Sequence, residues 1–252
     1  MTQHHMPPAF VHRFRIYANT KQHQWRVNQA RLFVTDWFGK CKRPYISFSG
    51  GKDSLAALHL VREQDPSCPA VYWDADCAFP EVEDLIKQTP HCTKYPCAEP
   101  FLDTLARFGL HAGQDLENET MKTTVYTPVS AYIAETGVDG AAYGLRMAES
   151  RGRRMNGLTK GAVFFAKGYG VTMCQPVFQW SYDDVWAYIV SKNVPYCGTY
   201  DRMWDMPEKE QRISYWAGES NRQNGRWVWL KRNYPDLFNR FAARFPEARA
   251  YV

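Results

Sequence analysis

The stretch Ser47-Phe48-Ser49-Gly50-Gly51-Lys52-Asp53-Ser54 decides the reading of this chain. It overlaps the apolar run Tyr45-Ile46-Ser47-Phe48 and leads into Leu55-Ala56-Ala57-Leu58-His59-Leu60-Val61, a pattern that predicts a buried strand, a tight turn and a helix. Paired glycines let backbone N–H groups come close to an anion, the helix N-terminus adds the positive end of its dipole, and Lys52 adds a full charge. Ser49 and Ser54 supply hydroxyl donors. Together these residues form a phosphate cradle.

Spacing excludes two common cradles. A Walker A loop needs a glycine five positions before Gly51, where this chain has Ile46, and a dinucleotide fingerprint needs a third glycine beyond Gly50 and Gly51. The string instead resembles the PP-loop of ATP pyrophosphatases, which cleave ATP between its α and β phosphates and hold the pyrophosphate in this loop.

Downstream, Pro69-Ala70-Val71-Tyr72-Trp73-Asp74 reads as a second strand, with Asp74 and Asp76 at the carboxyl end where open parallel sheets bind ligands. Phe79 to Ile86 predicts a helix with Pro80 in its first turn and acids favoured by its dipole. Pro90, Pro96 and Pro100 break the next stretch. Phe101 to Phe108 predicts a short helix, and Gln114 to Thr127, lacking a clear period, reads as a loop over the site. Thr127 to Glu135 predicts a helix closed by Gly137.

Asp139 to Arg146 reads as a strand of small residues. It runs into Arg146, Arg151, Arg153 and Arg154, four arginines within nine positions. Arginine's planar fork matches two oxygens of a phosphate or sulfate, so Arg146 is the candidate anion ligand, with a structural ion pair as the alternative. Gly161 to Tyr169 reads as a hairpin or loop, Val171 to Val177 as a strand, and Gln179 to Ile189 as a helix capped by Ser181. Upstream, Ala30, Phe33, Val34, Trp37 and Phe38 mark one face of a helix between Gln22 and Lys40, ended by Arg43-Pro44.

The 252 residues suffice for one large α/β domain or for a core domain with an appendage. The seven cysteines are scattered, which suits reduced thiols better than a disulfide framework. Cys92-x4-Cys97, with His91 and Cys77, does not match zinc-pair spacing and reads as a loop with buried thiols. His4-His5 is too short for a metal tract. No apolar run reaches eighteen residues and no signal-like N-terminus is present, so a cytoplasmic protein without membrane contact is expected. Residues 1–43 carry eight Lys/Arg against one acid, and residues 202–252 carry ten against six. Such flanks suit solvated helix faces or a polyanionic partner.

Taken in order, the cradle, Asp74 with Phe79-Pro80-Glu81, Gly144-Leu145-Arg146, and Pro176-Val177-Phe178-Gln179-Trp180-Ser181-Tyr182-Asp183-Asp184 leading to Val194-Pro195-Tyr196 resemble the phosphoadenosine-phosphosulfate reductase superfamily. That group includes sulfonucleotide reductases and the small subunit of bacterial ATP sulfurylase. The resemblance covers about residues 25–205. It implies an α/β fold of the adenine nucleotide alpha hydrolase type, a mostly parallel sheet of the five-stranded type with helices on both faces. The segments expected are residues 1–43 as an N-terminal arm and helix, 44–200 as the nucleotide-binding domain, and 201–252 as a basic, aromatic-rich helical tail.

Reductases of this group attack sulfur with a cysteine near the C-terminus in a Glu-Cys-Gly-Leu-His motif. This chain has no cysteine after Cys197, and Cys197 follows Pro195-Tyr196 where reductases have asparagine. The leading expectation is therefore the sulfurylase-like branch, a nucleotidyltransferase using ATP and Mg2+ to adenylylate an oxyanion such as sulfate. The reductase is the alternative. The resemblance then implies that Ser49, Gly50, Gly51, Lys52, Asp53 and Ser54 form the pyrophosphate and magnesium shell, with Lys52, Asp53 and Arg146 catalytic. Asp74 would read adenosine, and Arg146 with Arg151 the acceptor anion. The loop departs from the sulfurylase in having Gly50 where that subunit has isoleucine. Partners implied are an adenine nucleotide, a small oxyanion, and a homo-oligomer or GTPase-type subunit. The tail, Trp227 to Tyr234 and then Leu237, Phe238, Phe241, Ala242 and Phe245, reads as amphipathic helices. They serve either as a helical cover or as a nucleic-acid or partner face, as in a subunit of a nucleic-acid sulfur-modification system.

Overall fold

The computed structural model of the chain describes residues 6–110, 112–214 and 225–252. His4 and His5 lie outside the described residues. The strands are β1 (Pro44–Ser47), β2 (Ala70–Asp74), β3 (Cys92–Pro96), β4 (Gly140–Tyr143), β5 (Val163–Ala166) and β6 (Val171–Cys174). The described α-helices are α1 (Pro8–Ala18), α2 (Lys21–Phe38), α3 (Lys52–Arg62), α4 (Pro80–Gln88), α5 (Phe101–Phe108), α6 (Gly113–Met121), α7 (Thr127–Thr136), α8 (Arg151–Lys160), α9 (Tyr182–Ser191), α10 (Arg226–Asn233) and α11 (Pro235–Arg244).

The strands make one sheet in the order β3-β2-β1-β4-β6-β5. The first five of these run parallel, and β5 is added antiparallel at the edge, pairing Phe164 with Met173. The α/β architecture is therefore the expected one. Residue alternation sends Tyr45, Val71, Ala141 and Val171 to one face, where Tyr132 and Ile133 of α7 cover them. Ile46, Ala70, Ala142 and Cys174 join the other face, packed with Trp37 of α2, Leu58 of α3 and Trp186 of α9. Trp37 and Trp186 are fully buried, and truncating either to Ala removes about 3–5 kcal/mol of stability. Chain order reverses between β1 and β4, which opens a crevice at their carboxyl ends.

Several segments differ from the sequence reading. The region read as a thiol loop is the edge strand β3, where proline is tolerated because one side of the strand is unpaired. The region read as a loop over the site is α6 followed by a π-turn at Lys122–Tyr126 that runs directly into α7. The wide turn adds a residue to the helical repeat and so erases the 3.6-residue period. The turn lies just ahead of Pro128, which has no N–H for a carbonyl four residues back. Residues 8–18, which gave little as sequence, form α1, and Phe14 stacks on Trp186 at 6.4 Å. The arginine-rich run is α8, capped by Ser150. No group of three His, Cys, Asp or Glu that could hold a metal occurs among the described residues, and no described helix is long and apolar enough to cross a membrane.

Candidate active site

The crevice at the switch point contains the cradle. Gly50 has φ +73°, and a Cβ there would meet Val82 Cγ1 at 3.1 Å, so both backbone conformation and space favour glycine. The turn is braced from within: Ser49 Oγ and Ser54 Oγ lie 3.0 Å apart, Ser54 Oγ donates to the Gly51 carbonyl at 3.0 Å, and the Ser49 N–H donates to Ser54 Oγ at 3.2 Å. Ser49 and Ser54 thus hold the loop's shape as well as facing the cleft. The Lys52 N–H at the start of α3 donates to the Tyr200 hydroxyl at 3.0 Å, so a residue 148 positions away satisfies one of the helix's free donors.

Three charges meet above this turn. Asp53 Oδ1 accepts from Arg146 Nε at 2.5 Å and its Oδ2 accepts from Lys52 Nζ at 3.2 Å. Lys52 is 5% and Arg146 7% exposed, so this is a largely desolvated triad. Both Asp53 oxygens are held by cations, so the role expected for Asp53 as a magnesium ligand is not the one its contacts describe. The Lys52 ammonium also lies 5.9 Å and 5.8 Å from the ring centres of Tyr182 and Tyr200, which line the same cleft. Burial pushes both phenols well above their ordinary value, so they face the cation as neutral rings.

Gly144 makes this assembly compact. A Cβ at Gly144 would lie 2.4 Å from both Cα and N of Ser54, so the end of β4 rests directly on the first turn of α3. Arg146 follows two residues later, and its N–H donates to Glu149 Oε2 at 3.1 Å. Glu149 also pairs with Arg153.

Two chambers share the cradle. A polar one of about 580 Å³ is lined by Lys52, Asp53, Arg146, Arg153, Gln211 and Arg212 among others. An apolar one of about 480 Å³ is walled by Tyr72, Trp73, Tyr126, Tyr143, Tyr169 and Met173. Ser49, Ser54, Gly144 and Arg153 border both. Trp73 is oriented by its indole N–H, which donates to Ser47 Oγ at 2.9 Å. Val125 and Tyr126, which line the apolar side, belong to the π-turn.

Ser49, Gly51, Lys52, Asp53, Ser54 and Arg146 converge on the polar chamber, and Gly50 shapes the turn beneath it. Two expected residues do not join them. Asp74 stands at the end of β2, where Lys94 Nζ lies 3.0 Å from its Oδ2 and its Oδ1 caps the Asp76 N–H at 3.0 Å, while Tyr72, Trp73 and Ala75 line the chamber. Arg151 is exposed on α8, and Arg153, two positions on, is the arginine that borders the cleft. Sequence reasoning missed Tyr182, Tyr200 and Gln211. Tyr182 stood in the Pro176-to-Asp184 motif without any sign that it faces the cradle, Tyr200 belonged to no motif, and only the long-range return of the chain brings them to Lys52. Cys197 is buried away from both chambers, and burial pushes its thiol up to about 11.

A family model described as the phosphoadenosine phosphosulfate reductase domain matches residues 43–206. An adenosine 5′-phosphosulfate reductase of Neisseria meningitidis serogroup B is 30% identical over 147 residues, covering 54% of this chain and 53% of that protein. One from Geobacillus kaustophilus is 24% identical over 197 residues, covering 70% of this chain and 80% of the relative. The chain spans about half the length of the first curated relatives it matches. The phosphoadenylyl-sulfate reductase from Candida auris has the same fold, with a TM-score of 0.54 at 18% identity, covering 69% of this chain and 84% of that one.

These matches overturn the expectation of an ATP-cleaving nucleotidyltransferase with the reductase less favoured, because the matching domain and the aligned relatives carry reductase descriptions. The physical reason for the misreading is plain. Backbone donors, a lysine and an arginine hold a spectator phosphate as readily as a departing pyrophosphate, so the cradle alone does not choose between them.

Proposed function

The chain belongs to the phosphoadenosine phosphosulfate reductase domain family, and on that premise we propose that it binds an adenosine 5′-phosphosulfate-type nucleotide and presents its sulfur to a thiol. The adenosine fits the aromatic chamber, and the phosphosulfate lies across the cradle beneath Lys52 and Arg146. In the reaction, a thiolate attacks the nucleotide's sulfur. A sulfur–sulfur bond forms, and the bond from sulfur to the bridging oxygen breaks, leaving its electron pair on the adenosine phosphate. A second thiolate then displaces sulfite and leaves a disulfide, so sulfate sulfur is reduced while two thiols are oxidised.

Lys52 and Arg146 face the phosphate as it gains charge, which is where preorganised cations lower a barrier most. Cys77 borders the aromatic chamber, but burial drives its thiol well above its ordinary value, and Cys197 lines neither chamber. The reading therefore assigns the attacking sulfur to a dithiol co-reactant entering from outside these two positions.

The observation that carries the reading is the junction of an aromatic chamber with a cationic one across Ser49, Ser54 and Gly144. The test is direct: incubate the protein with adenosine 5′-phosphosulfate, or its 3′-phosphorylated form, and an excess of dithiol, and measure sulfite and nucleoside phosphate together. Stoichiometric release of both, lost in Lys52→Ala, is expected. Failure of both nucleotides to bind, or of both to release sulfite, overturns it.

A further inference from the structure

One wall of the polar chamber comes from beyond the family-matching region. It includes Gln211, Arg212 and Ile213. The wall begins as a tight turn, in which the Gln211 N–H donates to the Glu208 carbonyl at 3.3 Å and the Arg212 N–H to the Glu210 carbonyl at 2.8 Å. The carbonyl of Glu210 accepts from Arg226 Nη1 at 2.7 Å, that of Arg212 accepts from Arg226 Nη2, and that of Gln211 between them lies 3.5 Å from Lys52 Nζ. Arg226 thus grips the carbonyls on either side of the one that faces the cradle lysine.

Arg226 is built for this task. It opens α10, is 2% exposed, stacks at 4.4 Å over Trp229, and touches the sulfurs of Met203 and Met206. Burial lowers its guanidinium to about 10, which still leaves it charged at neutral pH. The wall is pinned from a second direction by the Gln211 side chain, whose Oε1 accepts from the Tyr182 hydroxyl at 2.6 Å and whose Nε2 donates to the Met206 carbonyl at 3.0 Å.

We propose that Arg226 is a positioning residue for the cradle: through the 210–212 carbonyls it sets the place of Lys52 Nζ, and so couples the C-terminal helices to anion binding. The link to catalysis rests on the function proposed above, whereas the link to Lys52 stands on geometry alone. Two measurements separate them. The first is ligand-free: brief acetylation followed by mass spectrometry, comparing Lys52 with the exposed Lys87 of the same molecule. In Arg226→Met, acetylation of Lys52 is expected to rise several-fold with Lys87 unchanged, and Arg226→Lys is expected to fall between it and wild type. A lower thermal midpoint with unchanged Lys52 labelling would mean a merely structural role and would overturn the proposal.

The second is a double-mutant cycle on adenosine 5′-phosphosulfate affinity. Arg226→Met is expected to weaken binding about tenfold in wild type and not at all in Lys52→Ala. Additive losses overturn the coupling. Absence of binding by wild type counts against the proposed function alone, and the labelling result then decides the role of Arg226.

Discussion

Arg146 Nε donates to Asp53 Oδ1 at 2.5 Å, joining the end of β4 to the first turn of α3 across 93 residues of chain. The contact places a carboxylate between the two cations that face the candidate substrate. An incoming anion therefore competes with Asp53 for Arg146 and Lys52 rather than meeting two free charges. Asp53→Asn keeps the shape and removes this competition. Inorganic sulfate is expected to bind that variant several-fold more tightly by calorimetry, while sulfite release falls, because a charged hydrogen bond that fixes the guanidinium is lost, at about 1.5–3 kcal/mol.

Gly144→Ala tests the close approach. Its Cβ would enter the backbone of Ser54, which has no flexible end to yield. Such overpacking costs about 1–3 kcal/mol and sometimes more. A lower thermal midpoint together with lost nucleotide binding is expected. Gly152, around which nothing lies within 4 Å, is the control. Gly152→Ala in α8 is expected to leave binding unchanged and to gain about 0.4–1 kcal/mol.

Trp73→Ala separates the two chambers. Loss of its indole face is expected to weaken adenosine 5′-phosphosulfate and adenosine monophosphate by the same factor, and to leave inorganic sulfate binding as it was. Unequal losses for the two nucleotides would place the adenosine elsewhere.

Asp184 controls acid stability. It is fully buried, caps α9 by accepting from the Ser181 N–H at 2.7 Å, and is held by His23 at 3.2 Å and by Arg26. Burial alone would raise its carboxyl, but the hydrogen bonds from His23 and Ser181 and the charge of Arg26 outweigh it and hold it well below the usual carboxylate range. A depressed folded-state pKa gives stability that is present above the unfolded value of about 3.9 and lost as pH falls through the folded one. Denaturant titrations between pH 7 and 2.5 are expected to show wild type losing stability below about pH 4. Asp184→Ala is expected to start about 3–5 kcal/mol lower at neutral pH, because its partners are left buried and uncompensated, and to have a shallower acid limb.

The cradle and the sheet were legible because each rests on local pattern: β1, the paired glycines and α3 are contiguous, and β2, β4 and β6 announce themselves as short apolar runs. Arg146 was legible for the same reason. The aromatic ring pair around Lys52 was not, since Tyr182 read as the start of a helix and Tyr200 drew no reading of its own, and their meeting depends on how α9 returns across α3. Asp74 was misplaced because a strand end fixes where the backbone finishes and not where a side chain turns, and Lys94 of β3 offered it a partner. The branch of chemistry was misread because weight was put on the position of a cysteine, a feature separate from the nucleotide cleft.

The π-turn at Lys122–Tyr126 has a genetic consequence. One residue advances an α-helix by roughly 100°. Excising the codon for Lys122 would restore ordinary helical winding and swing Met121, which precedes the turn, off the aromatic chamber, while α7 kept its grip on the sheet through Tyr132 and Ile133. The spare residue is thus a place where a one-codon deletion reshapes the aromatic chamber without rebuilding the fold.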